Sequence, residues 1–179
     1  MRRVVVTEFI SLDGVMEEPA WTAPYWNDEI AKFKGEESSA SDALLLGRVT
    51  YQGFAAAWPK SKDEGADYFN SMRKHVVSKT LEEPLGWNNS TLIKDNVVGK
   101  ITNLKQQDGK DLAVHGSATL VQTLMQHDLV DRYRRLVYPV IVGKGKRLFK
   151  EGIPATLKLL GSQAFSSGVV AVVYEPEQQ

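Results

Sequence analysis

The sequence predicts an α/β protein of three layers, in which a mixed, mostly parallel sheet lies between helices and continues into antiparallel C-terminal strands. Over the first two thirds of the chain, short apolar strands alternate with segments of helical periodicity. Two of these strands are continuous apolar runs, which is typical of parallel strands buried on both faces. The last third carries β-branched and aromatic runs with no long helix between them, which favours antiparallel pairing.

The elements of the first half follow from apolar spacing and from turn residues. Residues 2–10 form a β-branched and aromatic run that predicts the opening strand, ended by a turn at Asp13-Gly14. Asn27 is an N-cap for a predicted helix that runs to about Ser39. The apolar run 43–46, closed by Gly47, predicts a buried strand, and residues 50–57 predict a helix that Trp58-Pro59 ends.

The second half repeats this alternation and then changes character. Short strands are predicted at 75–78 and 91–93, a helix at 97–107, and a strand at 111–116 that leads into a helix capped by Ser117. The polar segment 60–65 predicts a surface loop. The final strands are expected at 133–138, 156–160 and 169–174.

The composition fits one globular domain over residues 1–179, with 42% hydrophobic and 25% charged residues. The 22 basic residues balance 22 acidic residues, so no net charge attracts nucleic acid or an anionic membrane, and we expect neither partner. The absence of cysteine excludes disulfides and a cysteine nucleophile, and the spacing of the three histidines predicts no metal site. We find no signal peptide or membrane-length apolar run, and we expect a cytoplasmic protein.

Two segments share one form, an apolar strand that ends in glycine before a polar residue opens a helix. The first runs from Gly47 through Arg48 to Thr50, and the second runs from Gly116 through Ser117 and Ala118 to Thr119. Free backbone amides and the helix dipole make each helix start a site for an anion, and two such sites on neighbouring strands suit a dinucleotide. When either motif is taken alone, ordinary helix capping is the stronger explanation.

Other phosphate motifs are weak or missing. The chain has no GxGxxG fingerprint, and residues 143–147 lack the spacing of a P-loop, so we expect a turn with solvated lysines there. Ser78-Lys79 follows a short strand and offers a hydroxyl and a charge to a further phosphate, although a polar strand end is the alternative.

Two carboxylates are candidates for acid–base chemistry. Asp13 closes the first strand at the edge where the glycine turns are expected, and Glu29 lies in the first turn of the first helix. An apolar pocket could make Glu29 a proton donor by raising its pKa, but a first-turn glutamate also complements the helix dipole. Trp21, Trp26 and Phe33 could offer flat faces to a heterocycle or could simply pack in the core.

Four ordered segments, residues 11–17, 44–51, 115–120 and 136–149, resemble the dihydrofolate-reductase-like family of the RibD C-terminal type. The resemblance covers nearly the whole chain. It implies NADPH at the carboxyl edge of the sheet, held by three turns. It also implies a homodimer built through the C-terminal strands. The positions that match the cofactor turns of the family are Gly47, Arg48, Thr50, Ser78, Lys79, Gly116, Ser117, Ala118 and Thr119.

The resemblance further implies a substrate side of the site. Ser11, Asp13 and Gly14 would lie beside the nicotinamide and the substrate. Apart from the resemblance, the flat face of Trp26 makes it a candidate contact for the substrate. Glu29 falls near the helix position where dihydrofolate reductases carry their acid. Either Asp13 or Glu29 is therefore expected to steer a proton.

The substrate itself is only partly indicated. Riboflavin-pathway reductases of this type act on 5-amino-6-(5-phosphoribosylamino)uracil, and their cofactor turn is usually followed by an acidic stretch with proline and arginine, whereas this chain has residues 54–59, Phe-Ala-Ala-Ala-Trp-Pro. We expect an NADPH-dependent reductase of a pyrimidine- or pterin-like heterocycle. The alternatives are a non-catalytic nucleotide-binding protein and a dihydrofolate reductase-like enzyme with another substrate.

Overall fold

The computed structural model describes residues 1–177, so the last two residues of the predicted 1–179 domain lie outside it. The described chain contains one sheet of eight strands. The strands are β1 (Val4–Ile10), β2 (Ser41–Gly47), β3 (Arg73–Val77), β4 (Ser90–Ile93), β5 (Asp111–Val114), β6 (Arg132–Val137), β7 (Leu157–Ala164) and β8 (Val170–Pro176).

Five α-helices and two 3₁₀ segments connect the strands. The α-helices are α1 (Asp28–Ala40), α2 (Arg48–Ala57), α3 (Ala66–Ser71), α4 (Val97–Gln106) and α5 (Ala118–Gln126). The 3₁₀ segments are Pro19–Tyr25 and Trp58–Lys60. Within residues 1–177, no helix has the length and the apolar character that crossing a membrane requires.

The strand order is β4-β3-β2-β5-β1-β6-β8-β7. The first six strands in this order run parallel, whereas β8 pairs antiparallel with both β6 and β7. This topology confirms the predicted mixed sheet with antiparallel C-terminal strands. Because β6 pairs with β1 in parallel, the antiparallel part begins one strand later than the sequence suggests.

Successive side chains of β2 point to opposite faces of the sheet and pack into two separate core layers. Leu45 packs with Ile101 of α4 and Leu124 of α5, whereas Leu44 lies on the opposite face with Tyr51 of α2. A third cluster joins Ile30 of α1 to the β6 end of the sheet. Helices therefore cover both faces, which confirms the three-layer arrangement.

The segment after residue 65 differs from the predicted pattern. Residues 66–71 fold into α3, and Phe69 of this helix stacks on Trp58 with ring centroids 4.3 Å apart. The segment is too short for a helical period to show in the sequence, and tertiary aromatic packing stabilises it instead. Between β1 and α1, the segment with Pro19 and Pro24 winds into a 3₁₀ turn.

The carboxyl ends of β1, β2 and β5 lie side by side in the middle of the sheet, because β2 pairs with β5 and β5 pairs with β1. The turn after β2 and the turn after β5 are therefore neighbours, as a dinucleotide bound at both helix starts requires. Ligands in open α/β sheets bind at this edge.

Candidate active site

A groove of about 920 Å³ lies along the carboxyl edge of the sheet. Its volume is at the upper end of the range for small-molecule and cofactor sites. A separate cavity beside Arg3 and Asp111 holds only about 50 Å³, which is too small for a nucleotide. The predicted cofactor residues that line the large groove are Gly47, Arg48, Thr50, Ser78, Lys79, Ser117, Ala118 and Thr119.

The two glycine turns touch each other at the groove. The Gly47 amide donates a hydrogen bond of 2.9 Å to the Gly116 carbonyl oxygen. A Cβ atom on Gly47 would lie 2.3 Å from Ser117 Oγ and 2.8 Å from the Ser117 backbone nitrogen. Only glycine allows this approach, so the turns form one continuous surface.

Gly116 brings three further atoms together. Its φ of +104° is a conformation that favours glycine. A Cβ here would lie 2.8 Å from Thr50 Oγ1, 3.4 Å from Met16 Cε and 3.6 Å from Glu8 Oε1. The glycine turn, the first turn of α2 and the end of β1 therefore meet at one point of the groove.

The helix starts at these turns differ in their caps. Gly47 caps α2 without a side-chain hydrogen bond, whereas the Ser117 hydroxyl oxygen accepts from the Leu120 amide at 3.4 Å. The first amides of α2 therefore have no side-chain acceptor at their cap, next to the positive end of the helix dipole. This end of the groove suits an anion.

Cationic side chains lie at the same end. Arg48 begins α2 and is exposed, with Nη1 donating to Gln52 Oε1 at 3.1 Å. Lys79 and Lys94 also line the groove. The Ser78 hydroxyl oxygen accepts from the amides of residues 80 and 81 at 3.2 and 3.1 Å, so it shapes the turn that carries Lys79.

Asp13 holds a loop together and lies outside the lining of the groove. Its carboxylate accepts hydrogen bonds from the Ser11 hydroxyl at 2.6 Å and from the amides of Val142 and Gly143 at 3.1 and 2.9 Å. These bonds, that from Ser11 foremost, lower the pKa of Asp13 to about 2. An ionised, fully engaged carboxylate has no proton to give, so the geometry favours a structural role.

The other predicted substrate residues also lie away from the groove lining. Glu29 accepts from the hydroxyl and the amide of Ser166, the latter at 2.9 Å, and these bonds lower its pKa. Ser11 and Gly14 shape the Asp13 loop, where the Ser11 hydroxyl oxygen accepts from an amide at 2.9 Å and Gly14 has a φ of +85°. Trp26 is 53% exposed.

This chain has relatives among known proteins both by sequence and by fold. The sequence profile of the RibD C-terminal domain matches residues 2–171. This chain belongs to the RibD C-terminal domain family. The uncharacterized protein YyaP of Bacillus subtilis (strain 168) is 31% identical to it over 97% of this chain and 94% of that protein.

Solved structures share the fold of this RibD C-terminal domain. A candidate riboflavin biosynthesis protein from Shewanella sp. PV-4 has a TM-score of 0.82 and 21% identity, over 98% of this chain and 99% of that one. Dihydrofolate reductase from Enterococcus faecalis, solved with NADP(H), has a TM-score of 0.66 and 12% identity, over 98% and 97% of the two chains. At these identities the likeness shows the fold alone, which is dihydrofolate-reductase-like.

Two buried groups of this RibD C-terminal domain were missed by the sequence reasoning. Glu8 and His115 both line the groove, and Glu8 Oε1 and His115 Nε2 have no hydrogen-bond partner within residues 1–177. Burial raises the pKa of Glu8 well above its usual value, and burial lowers the pKa of His115 to about 3. For Glu8, the sequence signal that could have revealed it is a carboxyl within an otherwise apolar, Val-rich strand.

Lys34 of α1 completes the polar lining. Its amine donates to Thr7 Oγ1 at 2.7 Å and also bonds the Glu37 carboxylate. Burial opposes ionisation of Glu37, but the nearby Lys34 charge and these hydrogen bonds outweigh it and lower the pKa of Glu37. Glu37 is therefore the ionised partner of Lys34, in contrast to Glu8.

Proposed function

We propose that this chain is an NADPH-dependent oxidoreductase of the RibD C-terminal type that reduces a C=O or C=N carbon of a pyrimidine- or pterin-like heterocycle. The observation that carries the proposal is the contact between the Gly47 and Gly116 turns at the floor of one large groove. Two helix starts at one edge suit the two phosphates of a dinucleotide.

The lining residues fit NADPH by their chemistry. The amides that open α2 and α5 would hold the pyrophosphate, and Arg48 would pair with the 2′-phosphate through charge-assisted hydrogen bonds. Ser78 and Lys79 would lie on the adenosine side. When bound, NADPH would supply the hydride. The protein would orient the cofactor and the substrate, exclude water and deliver a proton.

The other end of the groove suits a flat heterocycle. Phe9, Met16 and Pro19 give it an apolar lining, while Glu8 and Lys34 add polar groups. This mixture is typical of sites for small organic molecules, where a few polar groups fix the orientation. A ribosylated aminouracil is one member of this substrate class, and pterins are another.

A nucleotide-binding protein without turnover is the second candidate, and one observation favours it. Residues 54–59 stand where the riboflavin-pathway reductases have an acidic stretch with proline and arginine. Their aromatic residues, Phe54 and Trp58, are half-buried and pack against the core, and Phe54 also lines the groove. Phe54 packs edge to face on Trp58 and on Phe69, with ring centroids 6.1 and 5.2 Å apart. This segment therefore offers no cation to a phosphoribosyl group.

A thermal-shift titration tests the cofactor proposal. Ligand at 100 times its Kd adds about 2.7 kcal/mol, which corresponds to a rise in Tm of about 5 to 11 °C for a chain of this size. NADPH should give this shift and NADH much less. No shift with millimolar NADPH would overturn both candidate functions, whereas binding without oxidation by pyrimidine, pterin and folate substrates would favour the second.

We also infer a homodimer that uses the C-terminal strands. Within the described residues, β7 is the outer strand of the sheet and pairs with β8 alone. Leu159 and Leu160 on β7 are 51% and 41% exposed. An apolar edge strand of this kind favours pairing with a second chain.

A further inference from the structure

Glu8 is a buried carboxyl at the substrate end of the groove. It lies near the end of β1, on the strand face that it shares with Val6 and Ile10, and the residue is only 7% exposed. Oε1 is buried and has no hydrogen-bond partner within the described residues 1–177. A buried polar atom without a partner is rare in folded proteins and calls for a functional explanation.

The position of this oxygen relates it to the cofactor turn. A Cβ on Gly116 would lie 3.6 Å from Glu8 Oε1 and 2.8 Å from Thr50 Oγ1. Met16 closes the other side, with its Cε 3.4 Å from the same point. The carboxyl therefore lies between the turn that would hold NADPH and the apolar end that would hold the heterocycle.

The charged groups around Glu8 leave its carboxyl without an ion pair. The salt bridges within residues 1–177 include none to Glu8. Lys34 favours the ionised form and Glu37 opposes it, but burial is the largest effect and favours the neutral acid. Helix α5 carries no charged side chain. The other titratable groups that line the groove nearby are His115 on β5, Glu17 and Glu18 after β1, and Lys146. On β6, Arg135 is the register partner of Glu8, and its guanidinium lies over the rings of Phe149 and Tyr174, 5.1 and 5.4 Å from their centroids.

We propose that Glu8 is the proton donor of the reduction, a role that rests on the function proposed above. In this step a hydride from NADPH forms the new C–H bond, the π bond of the C=N or C=O group breaks, and the Glu8 proton goes to the nitrogen or oxygen. The products are the reduced heterocycle, NADP⁺ and the Glu8 carboxylate, which takes a proton back from water. A neutral acid near the reacting atoms is the arrangement that general acid catalysis requires.

Infrared difference spectra test the state of Glu8 without any substrate. At pH 7 the wild-type protein should show the carbonyl band of a protonated carboxylic acid, and Glu8→Gln should lose it. Glu36→Gln, which removes an exposed carboxylate of α1, should retain the band. Absence of the band in the wild type would overturn the proposal.

Turnover with NADPH and the pyrimidine, pterin and folate panel tests the role. Glu8→Gln should lower kcat about 10²- to 10⁴-fold while NADPH still raises Tm as in the wild type, because amide and acid are isosteric. The wild-type kcat should fall as pH rises through the Glu8 pKa, and Glu8→Asp should retain that limb at a lower rate. A wild-type kcat and pH profile in Glu8→Gln would overturn the proposal. If NADPH did not raise the Tm of the wild type, the proposed reductase function itself would be rejected.

Discussion

At the residue scale, the site shows how environment assigns different states to one side-chain type. Asp13 accepts three hydrogen bonds and is ionised, Glu37 is ionised beside Lys34, and Glu8 is buried without an ion pair. Local partners set part of these states, as Ser11 does for Asp13 and Lys34 for Glu37, but Val142 and Gly143, which also donate to Asp13, lie far away in sequence. The carboxyls at Asp13 and Glu29 were visible in the sequence, but their partners were not.

Arg48 should determine the preference for NADPH over NADH. A charged hydrogen bond contributes about 1.5 to 3 kcal/mol, so Arg48→Gln should weaken NADPH binding about 10- to 150-fold and leave NADH binding nearly unchanged. Isothermal titration with both nucleotides measures this. Arg73→Gln, an exposed arginine outside the groove lining, is the charge-matched control. Equal losses for the two nucleotides would contradict the assignment of Arg48 to the 2′-phosphate.

Because of Glu8, the free energy of unfolding should fall as pH rises. Its pKa is raised in the folded protein above the usual 4.5, so between these two pKa values the folded state binds more protons than the unfolded state. The free energy of unfolding then decreases with pH by about 1.4 kcal/mol per unit across this window. Urea unfolding of the wild type and Glu8→Gln should show a difference that grows with pH, whereas Glu36→Gln should follow the wild type. A difference that stays constant with pH would exclude a raised pKa.

At the element scale, the site depends on two strand–turn–helix units that meet. The turn after β2 and the turn after β5 are joined by a hydrogen bond of 2.9 Å between the Gly47 amide and the Gly116 carbonyl. Their sequence signature is local, which explains why the sequence alone predicts both turns. Their contact depends on β2 and β5 pairing across the sheet, which the sequence only suggests.

Gly47→Ala should separate the two turns. The backbone of Gly47 has φ −76° and ψ 161°, which alanine also adopts, so the expected effect comes from the 2.3 and 2.8 Å contacts with Ser117 alone. We expect a loss of about 1 to 3 kcal/mol in unfolding free energy and loss of the NADPH thermal shift. Urea unfolding and the NADPH titration measure the two effects.

Gly35→Ala is the matched control for this prediction. Gly35 lies within α1, and a Cβ there has no atom within 4 Å. Alanine should stabilise the helix by about 0.5 to 1 kcal/mol and leave the NADPH shift intact. If both glycine variants behaved alike, the contact between the turns would not be what makes Gly47 necessary.

The remaining elements differ in how far the sequence predicts them. The apolar runs of β2 and β5 and the period of α5 are strong local signals, and the structure contains all three elements. Helix α3 has only six residues and packs through Phe69 on Trp58, so tertiary contact forms it. The parallel pairing of β6 with β1 also lies beyond any local pattern.

At the scale of the whole molecule, the groove and the exposed edge strand lie at different parts of one sheet. The turns that line the groove follow β2, β3 and β5, whereas β7 is the outermost strand beyond β8. A dimer through β7 would therefore leave the central edge of the sheet open. Association and nucleotide binding should be separable.

The proposed homodimer would have a solution mass of twice the 19.9 kDa chain. Changing Leu159 and Leu160 together to lysine places charge on the exposed part of β7 and should halve the mass measured by light scattering. Leu12→Lys, at an exposed leucine of the Asp13 loop, should not change it. A wild-type mass near 20 kDa would reject the dimer.

The central place of β1 has a consequence for how the chain folds. Val4–Ile10 is made before its partners β5 and β6, which lie more than 100 residues later in the chain. During synthesis this Val-rich segment stays without its partner strands until residues 111–137 have left the ribosome. Such non-local pairing slows folding and leaves an apolar strand exposed. Nascent chains that end before β6 should therefore aggregate most readily and depend most on chaperones.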